Sequence, residues 1–499
     1  MTSSIVIAGF STSYKRPGAV RETKYGQGLV SVGSAQVACL ITGTKTSAGS
    51  MTADQDVARI YDKDDADAKL GTGSEAACQA YAALDIPGVV LWAAPVAEAG
   101  GAASATLVAT ITGSWTTTGT AVLWLFGFAV SFQVVAGESV TQAAVRLVNA
   151  INAVPRFPFT AANAAGVVTI TVRSKGVRGN EHIGRKDLSA APSGFAMALA
   201  GGTPLTGGMV PFSGGSGADS VVNVLGVLVS GVYDYQAWAQ NDATNAALWK
   251  AQLNSEAGPT AMHLEHGIMA LTRAQATAIS FSQTTLNAYR CSLVTMENCE
   301  VPSSVVAAQM AAVRSTIVGA NPNYRFDDYV LPSIPPQSQK ADIYSDPELD
   351  AMLNSGVTPL LTRPDGTVVI VRAVQSHSLN GSAPDYRTLD WGDADVPDRM
   401  SKEYGVRWDT FSAGNMYVGA DPADGEEQPG EGVATPTLWR AEIIDINKDA
   451  EKANWLQSVD ANPPVVEYDD DASRLMTAAP IVVRKQNHQV GISVRQVAA

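Results

Sequence analysis

The chain has little cysteine, histidine or charge. Its 499 residues include four cysteines and five histidines. Cys39, Cys78, Cys291 and Cys299 show no CxxC spacing, which excludes a zinc ribbon or thioredoxin-like motif and reads as buried free thiols in a reducing compartment. Charged residues make up 16% and the net charge is −14, so no basic face is available for phosphates, which argues against direct nucleic-acid binding. The most apolar run, residues 121–136, is shorter than the roughly 20 residues a helix needs to cross a bilayer. Gly127 divides it into two β-prone halves, so the expectation is a buried hairpin and no membrane insertion. The first residues, MTSSIVIAGFSTSYKRPG, lack the basic start and cleavage pattern of a secretion signal.

Catalytic and metal-binding patterns are also missing. His263 and His266 flank Glu265 in MHLEH, which is not HExxH. Gly214, Gly215, Ser216 and Gly217 precede a helix but bring neither a P-loop lysine nor a full dinucleotide fingerprint. Asp469, Asp470 and Asp471 lack the alternating oxygens and glycine of an EF-hand, and helix capping or pairing with an arginine is the expectation. His182, His377 and His488 are scattered, and no nucleophile elbow occurs. No catalytic, metal or cofactor-binding residue is assigned, and no cofactor is expected.

What is present is Ala, Val, Gly and Thr in alternating helix and strand patterns, with a length suited to roughly three domains of ~150 residues. Residues 1–30 read as an arm with a strand near Ile5, Val6 and Ile7. Residues 31–97 and 209–336 alternate strand and helix as a layered α/β domain with parallel strands. In its first half, helices are expected over 54–61 and 74–84 between strands at 35–42 and 89–93. In its second, strands are expected at 231–235, 259–263 and 290–294 and a long helix over 301–318. Between the halves, residues 98–208 switch to alternating strands plus an amphipathic helix over 139–153, an inserted α+β, β-rich unit. Residues 337–478 form a C-terminal α+β domain and 479–499 a second arm. Within that domain, 390–411 reads as a polar stretch, 419–432 as an acidic surface loop, and Thr435 as the cap of a helix reaching about 456. Charge is unevenly spread. Lys15, Arg16, Arg21 and Lys24 stand against Glu22 near the start, and Arg474, Arg484, Lys485 and Arg495 face no acid near the end. Basic termini on an acidic body suit arms that dock on neighbouring copies.

The best-punctuated stretch is 345–389. Ser345 caps a helix with Pro347 in its first turn, Gly356 ends it, and Pro364-Asp365-Gly366 turns the chain into the β-branched, half-buried run Thr367 to Val371. At the chain's end, Val490, Ile492 and Val494 alternate with Gly491, Ser493 and Arg495, as in a strand with two distinct faces.

The order helix, NSGVTPL, DG, VVIVRAVQS and DYRTL resembles the C-terminal domain of contractile tail sheath proteins of Mu-like phages. The matching residues include Gly356, Thr358, Pro359, Asp365, Gly366, Val371 and Arg372. The DDDASRL turn and the final pair of segments resemble the end of the same family. The resemblance implies a structural protein and not an enzyme: a subunit of stacked hexameric rings wound around an inner tube. It also implies baseplate and tail terminator partners, a place in a virion or tailocin tail, and assembly in the host bacterial cytoplasm. The expected inter-subunit strand exchange would use Ile5, Val6, Ile7, Val490, Ile492 and Val494 beside Val368, Val369, Ile370 and Val371. Electrostatic docking would use Lys15, Arg16, Arg484, Lys485 and Arg495. The alternatives are an α/β enzyme and a non-contractile virion structural protein.

Overall fold

The computed structural model describes residues 37–229, 231–272, 274–423 and 432–488. Ile5, Val6, Ile7, Lys15, Arg16, Val490, Ile492, Val494 and Arg495, with most of the acidic loop, lie outside the described residues.

The chain enters through β1 (Ala38–Ile41) and continues through β2 (Ala58–Ile60), α1 (Lys63–Leu70), α2 (Glu75–Leu84) and β3 (Val90–Ala93). The Ser74 hydroxyl accepts the Ala77 N–H at 3.1 Å and starts α2 where expected. The helix expected over 54–61 is instead a turn followed by β2. Asp54 takes a left-handed φ of 63° and Asp56 accepts the Thr52 N–H at 2.6 Å, so helix starts only beyond the Asp62 cap.

The next segment comprises β4 (Thr106–Gly113), β5 (Gly119–Leu125), β6 (Phe128–Val134), α3 (Val140–Asn152), β7 (Phe159–Ala164), β8 (Val167–Val172), β9 (Ile183–Asp187), β10 (Phe195–Ala200) and β11 (Val210–Pro211). These strands form two four-stranded sheets, ordered β10-β4-β8-β7 and β11-β9-β5-β6. Leu107, Leu123, Leu147, Phe159 and Ile170 lie in a core that belongs to this unit. Phe126 and Gly127, both at positive φ, close the β5–β6 hairpin in the apolar run. Ala103 bridges Ser216 and Thr106 bridges Ser213, so the unit continues past residue 208 to about 217.

The α/β pattern resumes with α4 (Val222–Leu228), β12 (Tyr235–Trp238), α5 (Ala243–Glu256), β13 (His266–Leu271), α6 (Gln275–Phe281), β14 (Cys291–Thr295), α7 (Ser303–Val318), α8 (Asp346–Leu353), β15 (Val357–Thr362) and β16 (Val368–Ile370). One eight-stranded sheet results, ordered β16-β15-β14-β13-β12-β1-β3-β2. It is parallel from β15 to β3 and carries an antiparallel strand at each margin. Helices α2 and α7 cover one face, and α4, α5, α6 and α8 the other. Strands β12 to β14 are therefore buried on both sides, the condition under which strand sequences lose their alternation. That loss explains one misplacement: residues 259–263 are not a strand, and pairing begins at His266 after Met262 turns at φ 60°.

At α8, the Glu348 carboxylate accepts the Ser345 N–H at 2.8 Å and the Ser345 hydroxyl at 2.7 Å. Gly356 leaves the helix at φ 70°, and a Cβ there would come within 2.7 Å of the Ser376 carbonyl oxygen. Because β15 pairs directly with β14, the boundary expected at residue 337 runs through a single sheet.

The remainder holds β17 (Leu379–Asn380), β18 (Ala383–Pro384), α9 (Trp391–Gly414), β19 (Tyr417–Val418), β20 (Val433–Ala434), α10 (Pro436–Lys452), β21 (Leu456–Gln457), β22 (Val465–Asp469), β23 (Arg474–Ala478) and β24 (Val482–Val483). The stretch read only as polar is thus the 24-residue helix α9, with Pro397 inside it and its first half buried. The charges of that first half, Asp393, Asp395, Asp398 and Arg399, are paired within the protein instead of being solvated, a distinction invisible to hydropathy. Thr435 caps α10 as expected.

Candidate functional site

Strand β16 holds three of the four exchange residues expected on described strands. Val368, Val369 and Ile370 are fully buried, where half-burial was expected, and Val371 lies just beyond the strand. The outer margin of β16 is already hydrogen-bonded within the chain. Asp328 N–H donates to Ile370 O at 2.8 Å, Ile370 N–H to Tyr329 O at 3.1 Å, and Leu331 N–H to Val368 O at 2.9 Å. A strand from another molecule therefore cannot pair with β16 unless 328–331 leaves. The segment that does border solvent is 328–331, where Val330 is 43% exposed.

Beside this margin the end of the described chain is fastened down. Strand β24 pairs antiparallel with β21, and Arg484 N–H donates to Trp455 O at 2.9 Å. Asn323 Nδ2 donates to Arg484 O at 2.9 Å, and Gln486 Nε2 donates to the carbonyls of Asn323 and Tyr324. Lys485 Nζ lies 2.7 and 2.8 Å from the two carboxylate oxygens of Asp393, and Arg325 donates to the Asn487 carbonyl. His488 Nδ1 is 2.7 Å from Asp327, while Nε2 is 3.5 Å from Asp390, an ion-pair distance rather than a good hydrogen bond. Arg372 holds Asp390 with two bonds of 2.7 and 2.9 Å. These acids, Asp327 first and then Asp390, raise the His488 pKa to about 9, so the imidazolium is the resident form at neutral pH. Arg484 and Lys485 thus bond groups of their own chain, Leu456 O and Asp393.

Sequence reading missed the charges that α9 carries into the interior. Arg314 and Asp395 are both fully buried and form two bonds, Nη2 to Oδ1 at 2.8 Å and Nε to Oδ2 at 3.1 Å. Tyr235 Oη donates to Asp395 at 2.8 Å. The Arg314 guanidinium lies 4.3 Å from the Trp391 ring centre and 4.9 Å from that of Tyr235. One turn on, Asp398 receives Arg290 at 2.7 and 3.1 Å and His266 at 2.8 Å. Burial opposes ionisation of Asp398, but Arg290 and His266 outweigh it and hold its pKa well below the usual carboxylate range. The spacing of Asp395 and Asp398 on one helical face was the available signal. His266, half of the rejected metal pair, therefore belongs to a hydrogen-bonded tie between β13 and α9.

The described residues contain no cluster of three or more His, Cys, Asp or Glu able to hold a metal, and none of their helices is long and apolar enough to cross a membrane. The four cysteines are free and buried. The glycine-rich 214–217 segment is occupied by its own structure, since Asn180 exchanges two 2.9 Å bonds with the Gly215 backbone. Asp469 pairs with Arg474 at 2.9 Å across the β22–β23 hairpin, as expected of an acid paired with an arginine. A groove of about 640 Å³ separates the inserted unit from the core, lined by Tyr81, Phe128, Phe157, Leu331 and Pro335 among others, with no convergent set of polar groups suited to chemistry.

No family model matches the chain. Over 432 residues it is 26% identical to the Mu-like prophage FluMu tail sheath protein of Haemophilus influenzae, covering 84% of this chain and 83% of that protein. The chain is similar to a Mu-like tail sheath protein. Among solved structures, the sheath tail protein of Desulfitobacterium hafniense aligns with a TM-score of 0.47 at 12% identity, covering 95% of this chain and 100% of that one. The anti-feeding prophage helical sheath in its contracted state aligns at 0.48 and 7%, covering 99% and 100%.

Proposed function

We propose that the protein is the structural subunit of a contractile tail sheath, polymerising as helically stacked hexameric rings around an inner tube. Contraction drives that tube through the target envelope. The observation that carries this reading is the similarity to a tail sheath protein along more than four-fifths of both chains. The energy resides in assembly: each subunit exchanges one set of neighbour contacts for a more favourable one, with no nucleotide consumed. Baseplate and terminator proteins would bound the polymer, the finished sheath would belong to a virion or tailocin tail, and assembly would occur in the host bacterial cytoplasm.

The C-terminal anchor suits a subunit linked through its end. Residues 484–488 hold to their own body, so residues 489–499 start from a fixed point beside Asp327. Val490, Ile492 and Val494, with Ile5 to Ile7 from the other arm, would then add to a neighbour's sheet outside 328–331, one strand beyond β16. Lys15, Arg16 and Arg495 would meet the acidic bodies of adjoining copies. Negative-stain electron microscopy of the purified protein mixed with its tube protein tests the reading. Hollow, regularly striated tubes are expected, and persistent monomers on an intact tube would overturn it.

A further inference from the structure

The inserted unit meets the α/β core at a small cavity of about 20 Å³, lined by Thr44, Glu75, Ser174, Arg178, His182 and Ser304 among others. Most polar groups in this wall are already paired. Arg178 donates to both oxygens of Glu75 at 2.7 and 2.6 Å and to both oxygens of Asp219 at 2.8 and 3.0 Å. Thr44 bonds Glu75 through its N–H and hydroxyl, and Ser174 accepts the Glu75 N–H at 2.9 Å. Two atoms are left over. His182 Nδ1 and Ser304 Oγ are buried without a hydrogen-bond partner, and their residues are only 6% and 1% exposed. One comes from the inserted unit and the other from the first turn of α7 in the core.

Buried hydroxyl and imidazole groups are rarely left unsatisfied, and a cavity of this size has space for a water molecule, for which about 10–15 Å³ is the minimum. The His182 ring packs against Phe159 and Phe212, with centroids 4.9 and 5.9 Å away. Burial pushes its pKa down to about 4, so the ring is neutral and one nitrogen can accept. We propose that the cavity is a one-water site, in which an ordered water donates to His182 Nδ1 and bonds Ser304 Oγ, joining the inserted unit to the start of α7. Beside it, the Arg178 ion pairs join the same two bodies.

This assignment is independent of the sheath reading. A crystallographic or cryo-electron microscopy map at a resolution that shows ordered waters should contain a single peak about 2.7–3.2 Å from both atoms. A cavity without density, or one closed by a direct bond between Ser304 and His182, would overturn it. In a Ser304→Val variant the added methyl groups should displace the peak. An unchanged peak in that variant would remove Ser304 from the site.

Discussion

Replacing Asp395 by Asn should destabilise the protein more than any surface substitution. The side chain keeps its size, and only its charge is lost. Arg314 then remains fully buried with no carboxylate, although both of its bonds to Asp395 and its position between Trp391 and Tyr235 depend on that ion pair. Removing one partner of a buried pair typically costs about 3–5 kcal/mol, because the remaining charge is desolvated and uncompensated. The cost should therefore exceed that of the pair itself. The double variant Arg314→Met, Asp395→Leu, which leaves no charge behind, should recover a large part of the loss. Urea unfolding of the unassembled subunit, followed by tryptophan fluorescence and circular dichroism, reads both values. An Asn variant within ~0.5 kcal/mol of the parent, or a double variant as damaged as the single one, would refute the reasoning.

Glu265 is buried and hydrogen-bonded to the Tyr233 N–H and Gln236, and burial raises its pKa to about 8. A carboxyl raised in the folded state contributes stability that is full below its unfolded pKa of ~4.3 and is lost as pH rises through about 8. Glu265→Gln should accordingly flatten the fall in stability between those values, as measured by melting temperature against pH; an unchanged slope would count against it. For His488, also raised, the contribution is full below ~6.5 and disappears as pH rises through about 9. Hydrogen exchange at residues 484–488 should therefore quicken over that window beyond its intrinsic rise, and His488→Gln should remove the pH dependence. Lys485→Ala should loosen the same segment at every pH, read by faster hydrogen exchange of 484–488, because it leaves the buried Asp393 carboxylate without its lysine.

Wherever local chemistry alone decides structure, the chain was legible. Ser74, Ser139 and Thr435 cap helices because their oxygens reach free amides, Ser345 starts α8 through its bonds to Glu348, and Gly127 and Gly366 turn hairpins because they adopt positive φ. Elements buried on every side read less well. Strands β12 and β13 lack alternation, so their starts were misplaced by several residues. Helix α9 was missed because Asp393, Asp395, Asp398 and Arg399 look like solvent-facing residues until Arg314, Arg290 and Lys485 are brought to them from far along the chain. The candidate exchange strand suffered in the same way. Val368 to Ile370 has the pattern of a margin strand, but nothing local reveals that 328–331 returns to cover it. The intrachain partners of Lys485 and Arg484 were illegible for the corresponding reason, since Asp393 and Leu456 lie elsewhere in the sequence.

The most direct measurement is a cryo-electron microscopy reconstruction of the assembled protein, in which residues 489–499 are traced from the anchor at His488. The account predicts a hexameric, helically stacked tube in which this segment crosses to an adjoining subunit and pairs with its sheet outside 328–331. A segment that folds back onto its own subunit, with rings held together without exchanged termini, would contradict it.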